Sequence, residues 1–402
     1  MAHVLSKPGQ VDDVSSEELV QRAADLVPLL RANAREADRT RRIPQENLDA
    51  LDDSGLLKTT RPAQYGGLEV DARTRSRIMS ELARGCGSTG WVATLYLDGN
   101  FILGLYPDDV QDEVFADPHV RCTATLIPRG TAERDGSGFR VSGRWPFNSG
   151  SLHAQWVAEP AVVELEPGKP EVCFFLMRYS ELTILDDWHV SGLRGTGSNT
   201  VVGENVFVPE QRMLRLAEAK VGNSHRSSAN KDKSFYRTPP LSFLFTSGGS
   251  TMPGLARAAQ ELLLAELPAR GPVAYTGYER RGEAPFTHLQ VAEASLKIRS
   301  GEQLLTEALD ILQDRADRGA PYSVEKQAEL WGMISYCTRT FAEAIEILRI
   351  AAGAHGIFDS EQIQLVCQNA QALLTHAVMM PTTGMEHYGR ALCGQGPSTP
   401  WL

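Results

Sequence analysis

Chemistry in this chain has to be found among few residue types. Nine histidines and six cysteines (Cys86, Cys122, Cys173, Cys337, Cys367 and Cys393) are scattered singly. There is no CxxC pair, no HExxH, and no Asp/Glu/His set at helical spacing for a metal. No metal is expected, and redox chemistry would have to borrow an organic electron carrier. The glycine-rich run Leu193-Arg194-Gly195-Thr196-Gly197-Ser198 fits neither GxxxxGK[ST] nor GxGxxG and lies between predicted strands, which argues against a nucleotide loop. Arg280-Arg281 forms a pair of the kind that grips phosphate, although two exposed arginines are also ordinary surface charge. His376 stands alone in an apolar stretch. A lone histidine there is commonly a satisfied core residue; with an ordinary pKa of about 6.5 it can also exchange a proton near neutral pH.

The elements that must position these residues divide the 402-residue chain into three. A helical region runs to residue 118: Ser15 and Glu18 are spaced as a capping box, Pro44 opens a second helix, and a third, Ala72 to Arg84, meets a Gly-Cys-Gly-Ser-Thr-Gly break before Trp91. Residues 119–212 show short strand-like runs separated by turns such as Asp135-Gly136-Ser137-Gly138, predicting a small β-barrel or sandwich. Residues 213–402 begin with a polar connection to Pro240. Long amphipathic segments follow near Thr251–Leu267, Pro285–Arg318, Ser323–Gly353 and Ser360–Met380, the pattern of an up-and-down four-helix bundle, with a closing helix near Gly384–Cys393. The fold class is α+β.

Composition narrows the partners. With 42% hydrophobic residues, 22% charged residues and a net charge of −10, the chain is globular and lacks the basic run that nucleic acid requires. No stretch reaches the roughly 20 apolar residues of a membrane span, and Met1 to Asp13 lacks the apolar core of a leader. No nucleic acid, no membrane and a cytoplasmic location are expected.

The order of helical domain, β domain and four-helix bundle resembles the acyl-CoA dehydrogenase fold, as does Tyr65-Gly66-Gly67. Within that superfamily three segments resemble the two-component, reduced-flavin-dependent aromatic hydroxylases, the group D monooxygenases. They are Gly143-Arg144-Trp145-Pro146-Phe147-Asn148-Ser149-Gly150, Gly192 to Ser198, and Tyr388-Gly389-Arg390. The resemblance implies an enzyme that takes reduced FMN or FAD from a separate reductase, reacts with O2 to form a flavin hydroperoxide, and hydroxylates a phenolic or similarly electron-rich small molecule. It implies a homotetramer as well.

By the same resemblance His376 is the substrate base, and Ser149 reaches flavin N5 and restrains loss of hydrogen peroxide. Phe147 stands against the flavin, Trp188 is a lid for its edge or a core residue, Thr196 and Ser198 lie on its side of the β domain, and Arg280 and Arg281 lie near its phosphate. Arg194 is a structural ion-pair residue. Thr123 or Thr125 supplies a substrate hydroxyl contact, and where some relatives carry a second histidine the chain offers Asp98 and Asn100 instead, Asp98 being the candidate substrate contact. Ala377 occupies the position of the dehydrogenases' catalytic glutamate, which opposes acyl-CoA dehydrogenation. Gln368-Asn369 replaces the usual Arg-Asp pair, putting cofactor or interface contacts in question. The alternatives are an acyl-CoA dehydrogenase-like FAD enzyme with another base, an N- or S-oxygenase of the same fold, and a non-catalytic scaffold.

Overall fold

The computed structural model describes residues 14–215, 226–399 and 402. Residues 1–13, read above for a leader, residues 216–225 of the polar connection, and residues 400–401 lie outside the described residues. The chain opens with helices α1 (Ser16–Ala32), α2 (Ala34–Thr40), α3 (Gln45–Asp53), α4 (Ala72–Gly85), α5 (Gly87–Leu103) and α6 (Asp108–Phe115). Ser15 caps α1, its Oγ accepting from the Glu18 N–H at 3.2 Å. The Glu18 carboxylate turns instead to Arg22 at 2.7 Å.

The expected Gly-rich break lies mostly inside α5. Its glycines serve packing: a Cβ at Gly90 would come within 2.5 Å of the Ala83 Cα on α4, and one at Gly99 within 2.0 Å of the Cys122 carbonyl oxygen. Every residue of α5 except Leu95 is buried. The helix is therefore covered all round, as a helix running through a core is, and it takes Ser88, Thr89, Thr94, Asp98 and Asn100 in with its apolar residues.

Strands β1 (Cys122–Ala124), β2 (Gly130–Asp135), β3 (Gly138–Asn148), β4 (Trp156–Glu166), β5 (Lys169–Arg178), β6 (Thr183–Ile184), β7 (Asn199–Pro209) and β8 (Met213–Arg215) form one mixed sheet. Its order is β6-β7-β3-β2-β4-β5-β8, with β1 laid parallel along β4. Antiparallel hairpins join β2 to β3 and β4 to β5.

The C-terminal helices are α7 (Pro240–Gly249), α8 (Met252–Glu266), α9 (Pro285–Arg318), α10 (Val324–Ala352), α11 (Gln362–Leu374) and α12 (Pro381–Leu392). The short α7, absent from the sequence reading, stacks Phe243 on Phe101 of α5 at 3.8 Å. The last long helix ends at Leu374 rather than near Met380. Pro381 disfavours helical geometry in the residue before it, so residues 375–380 turn back, with the Met379 and Met380 N–H groups both donating to the His376 carbonyl at 2.9 and 2.8 Å. His376 thus stands on a tight turn between α11 and α12. No helix among the described residues is long and apolar enough to cross a membrane.

Candidate active site

One face of α5, the turn after α11 and the edge of the sheet enclose a cavity of about 230 Å³. The α5 residues on it, Trp91, Leu95, Asp98 and Ile102, are spaced four, three and four apart, which is one helical face. The end of β3 contributes Phe147 and Ser149, the segment after β1 contributes Thr125 and Leu126, α7 contributes Leu244, and the turn contributes His376, Ala377 and Met379.

Ser149 ends a chain of hydroxyls. The Thr196 hydroxyl donates to the Leu193 carbonyl at 2.8 Å, and its oxygen lies 2.6 Å from Ser198 Oγ, which lies 2.7 Å from Ser149 Oγ. Each hydroxyl has one proton. With the Thr196 proton committed to Leu193, Ser198 must donate to Thr196 and Ser149 to Ser198. The Trp91 indole N–H also donates to Ser149 Oγ, at 3.1 Å. Ser149 therefore offers the cavity a lone pair.

Leu193, at φ 53, is the anchor of this chain. Its carbonyl also accepts the Trp188 indole N–H at 3.0 Å, and its own N–H donates to Asn369 Oδ1 on α11 at 2.7 Å. Asn369 is buried, so the residue that departs from the family's Arg-Asp pair ties the bundle to the loop behind Ser149. Beside Ser149, Phe147 sits at φ 66 and is 60% exposed, its ring edge-on to Trp188 at 6.0 Å. A non-glycine residue in the left-handed region costs of order 1 kcal/mol or more and persists where its surroundings demand it. Here it turns an aromatic face outward at the cavity mouth. An exposed ring backed by a half-buried indole, next to a lone-pair acceptor, fits a flat tricyclic flavin.

His376 packs edge-on against Trp91 at 4.9 Å. Its Nδ1 faces the Val378 N–H at 3.4 Å. The protein around the ring desolvates it and pushes its pKa down to about 4, although the ring keeps exposed surface toward the cavity. The expectation of a histidine titrating near its ordinary value is corrected accordingly. The imidazole is neutral at physiological pH, and with Nδ1 accepting, Nε2 carries the proton.

Two carboxyls adjoin the cavity. Asp98 lines it, and burial pushes its pKa up to about 7 against the pull of the Ser247 hydroxyl and the Arg75 charge. Glu159 on β4 is wholly buried behind Thr125, whose hydroxyl donates to it; burial pushes this carboxyl up to about 8 against that hydrogen bond.

The other expected residues separate. Thr125 lines the cavity, whereas Thr123 is buried with its hydroxyl 2.7 Å from that of Tyr179. Because β1 ends at Ala124, strand alternation no longer holds both threonines on one side. Thr196 and Ser198 are buried behind Ser149 and do not line the cavity, so they orient Ser149. Trp188 stands at the mouth through its contact with Phe147. Arg194 lies 3.6 Å from Asp38, as its ion-pair reading expected. Arg280 pairs with Glu283, and Arg281 donates to the Ala351 carbonyl at the end of α10, so neither lines the cavity. Both are held by their own helix-end neighbourhood. Trp91, Leu193 and Glu159 were missed. For Glu159 the signal was available: a single charge in the apolar run Trp156-Val157-Ala158-Glu159-Pro160-Ala161.

Comparison with known proteins follows the same lines. The acyl-CoA dehydrogenase N-terminal domain model matches residues 16–103 and the acyl-CoA dehydrogenase C-terminal domain model residues 248–381. The flavin-dependent monooxygenase oxygenase subunit HsaA of Mycobacterium tuberculosis is 31% identical, over 93% of this chain and 94% of that protein. The FADH2-dependent resorcinol hydroxylase oxygenase component of a Rhizobium species is 29% identical over 94% of this chain and 95% of its own. The structure of XiaF from a Streptomyces species, in complex with FADH2 and glycerol, superposes with a TM-score of 0.89 at 28% identity, covering 96% of this chain and 98% of that one.

Proposed function

The chain belongs to the oxygenase components of two-component flavin-dependent monooxygenases, built on the acyl-CoA dehydrogenase fold, and from that membership we propose how its cavity works. The protein is a monooxygenase that uses reduced FMN or FAD from a separate reductase, together with O2, to hydroxylate an aromatic molecule. When bound, the reduced flavin supplies the electrons that split dioxygen, one oxygen atom going to the substrate and the other to water.

Phe147 and Trp188 hold the flat face of the flavin, and Ser149 meets its N5. A reduced flavin carries a hydrogen on N5 and an oxidised one does not. The lone pair that Ser149 is left with therefore suits the reduced form, and Ser198, Thr196 and Trp91 act by fixing that polarity. His376 meets the substrate hydroxyl through Nε2–H. A neutral donor there stabilises the oxygen of a substrate that has given its proton to bulk solvent on entry, and the phenolate so held pushes electron density onto its ortho and para carbons. Leu95, Ile102, Leu126 and Leu244 keep water from the reacting atoms.

The observation that carries this reading is that Ser149 and His376 line one cavity and both rest on the same indole, Trp91. Exposed apolar side chains on α9 and α10, such as Leu289, Leu296 and Ile350, support assembly into a homotetramer. The cytoplasm, where a reductase supplies reduced flavin, is the proposed location.

Rapid mixing tests the reading. Protein loaded anaerobically with reduced FMN or FAD, plus a simple phenol, is mixed with oxygenated buffer. Hydroxylated product, with oxidised-flavin absorbance rising later than for free flavin, is the expected result. Oxidation at the free-flavin rate without product would sink it.

A further inference from the structure

The α5 face that brings Trp91 to Ser149 also carries a carboxyl into an otherwise apolar wall. Asp98 is 5% exposed, and its Oδ1 is buried with no hydrogen bond of normal geometry among the described residues, the Ser247 hydroxyl being the neighbour that acts on it. Around it the lining is Leu95, Ile102, Leu126, Leu244 and Met379. The positive charge that acts on Asp98 is committed elsewhere: Arg75 stacks its guanidinium on the Phe243 ring at 3.6 Å and donates to Thr246 Oγ1 at 3.1 Å. Among the described residues lining the cavity none is Lys or Arg. A second carboxyl, Glu159, stands just behind Thr125.

An unpaired buried oxygen costs free energy that a ligand donor restores. A ligand carboxylate in the same dry space would meet a carboxyl and find no cation. We propose that Asp98 is the specificity residue of this cavity, accepting a hydrogen bond from a second hydroxyl or amine on the aromatic substrate, and that the site excludes aromatic carboxylates. The inference rests on the cavity being the substrate site. Burial pulls Asp98 up to about 7 even against the Ser247 hydroxyl and the Arg75 charge.

The test is equilibrium dialysis of phenol, resorcinol, 3-aminophenol and 3-hydroxybenzoate against the full chain loaded anaerobically with reduced flavin. Resorcinol and 3-aminophenol are expected to bind about tenfold or more tighter than phenol, the range of a hydrogen bond to a charged group, and 3-hydroxybenzoate more weakly than phenol. Asp98→Leu should erase the donor advantage. Asp98→Asn, which retains an acceptor oxygen, should keep the donor advantage while admitting 3-hydroxybenzoate; it also serves if the leucine variant does not fold. Equal binding of all four by the wild type, preference for 3-hydroxybenzoate, or a donor advantage that survives in Asp98→Leu would overturn the proposal. Oxygenation assays on the same panel separate the two readings. Product from these phenols without donor preference refutes the role of Asp98 alone, and donor-selective binding without any product refutes the proposed reaction alone.

Discussion

The indole N–H of Trp91 donates to Ser149 Oγ at 3.1 Å while the same ring lies edge-on to His376 at 4.9 Å. One side chain thus spaces the group proposed to face the flavin from the group proposed to face the substrate. Through Leu193 and Asn369 the contacts run from Ser149 back to α11, the helix that leads into His376. Disturbing one member of this circuit should be felt at the others.

Ser198→Ala removes the acceptor that takes the Ser149 proton, leaving that hydroxyl free to donate into the cavity. Affinity for oxidised flavin should then rise relative to reduced flavin, by about tenfold for one neutral hydrogen bond. Titrations of both redox forms give the ratio. A ratio equal to that of the wild type would remove the hydroxyl chain from flavin selection.

His376→Ala should leave flavin binding intact and lower hydroxylated product by about tenfold to a hundredfold, with the oxygen diverted to hydrogen peroxide. Product and peroxide counted per flavin oxidised provide the check. Wild-type coupling in the variant would show that the imidazole only fills space.

The pH dependence follows from the pKa values. His376, pushed down to about 4, stays neutral from weakly acid to alkaline pH and contributes no step there. A step near neutrality should come from Asp98, pushed up to about 7, and should vanish in Asp98→Asn. A neutral-pH step that persists in Asp98→Asn and disappears in His376→Ala would reverse this assignment.

Glu159 makes a stability prediction. Its carboxyl is raised to about 8, above its unfolded value, so between those two pKa values the folded state holds a proton that the unfolded state has released. Stability therefore falls as pH rises through that window. Glu159→Gln should melt close to wild type at about pH 5 and above it at about pH 9, by up to a few kcal/mol. Thermal melts at the two pH values decide it, and an equal displacement at both would mean that the carboxyl does not titrate between them.

Much of this was legible in the sequence because the segments lining the cavity are short and contiguous. Phe147, Ser149 and Trp188 belong to recognisable runs, and His376 stands out as a single histidine. Other parts depend on contacts that no run displays. Asn369 reads as a lost charge until its Oδ1 is found on the Leu193 N–H. Thr196 and Ser198 read as cofactor contacts because a glycine-rich loop does not reveal which of its hydroxyls are covered. The break expected before Trp91 was an intrinsic-propensity argument, and the close approach of α4 overrode it at Gly90. The turn holding His376 was folded into a helix because the apolar pattern continues through Val378 and Met379, past the point where Pro381 stops it.

The glycines that seat α5 have a consequence for how this enzyme can be altered. Pressed onto α4 at Gly90 and onto Cys122 at Gly99, the helix cannot slide or swell, so the wall bearing Trp91, Leu95, Asp98 and Ile102 is a fixed template. Room for a differently shaped guest has to come from the opposite side, at Ile127, Leu244 and Met379. A directed-evolution library confined to those three positions should yield new substrate shapes with folding intact, and one spread along α5 should yield mostly insoluble protein.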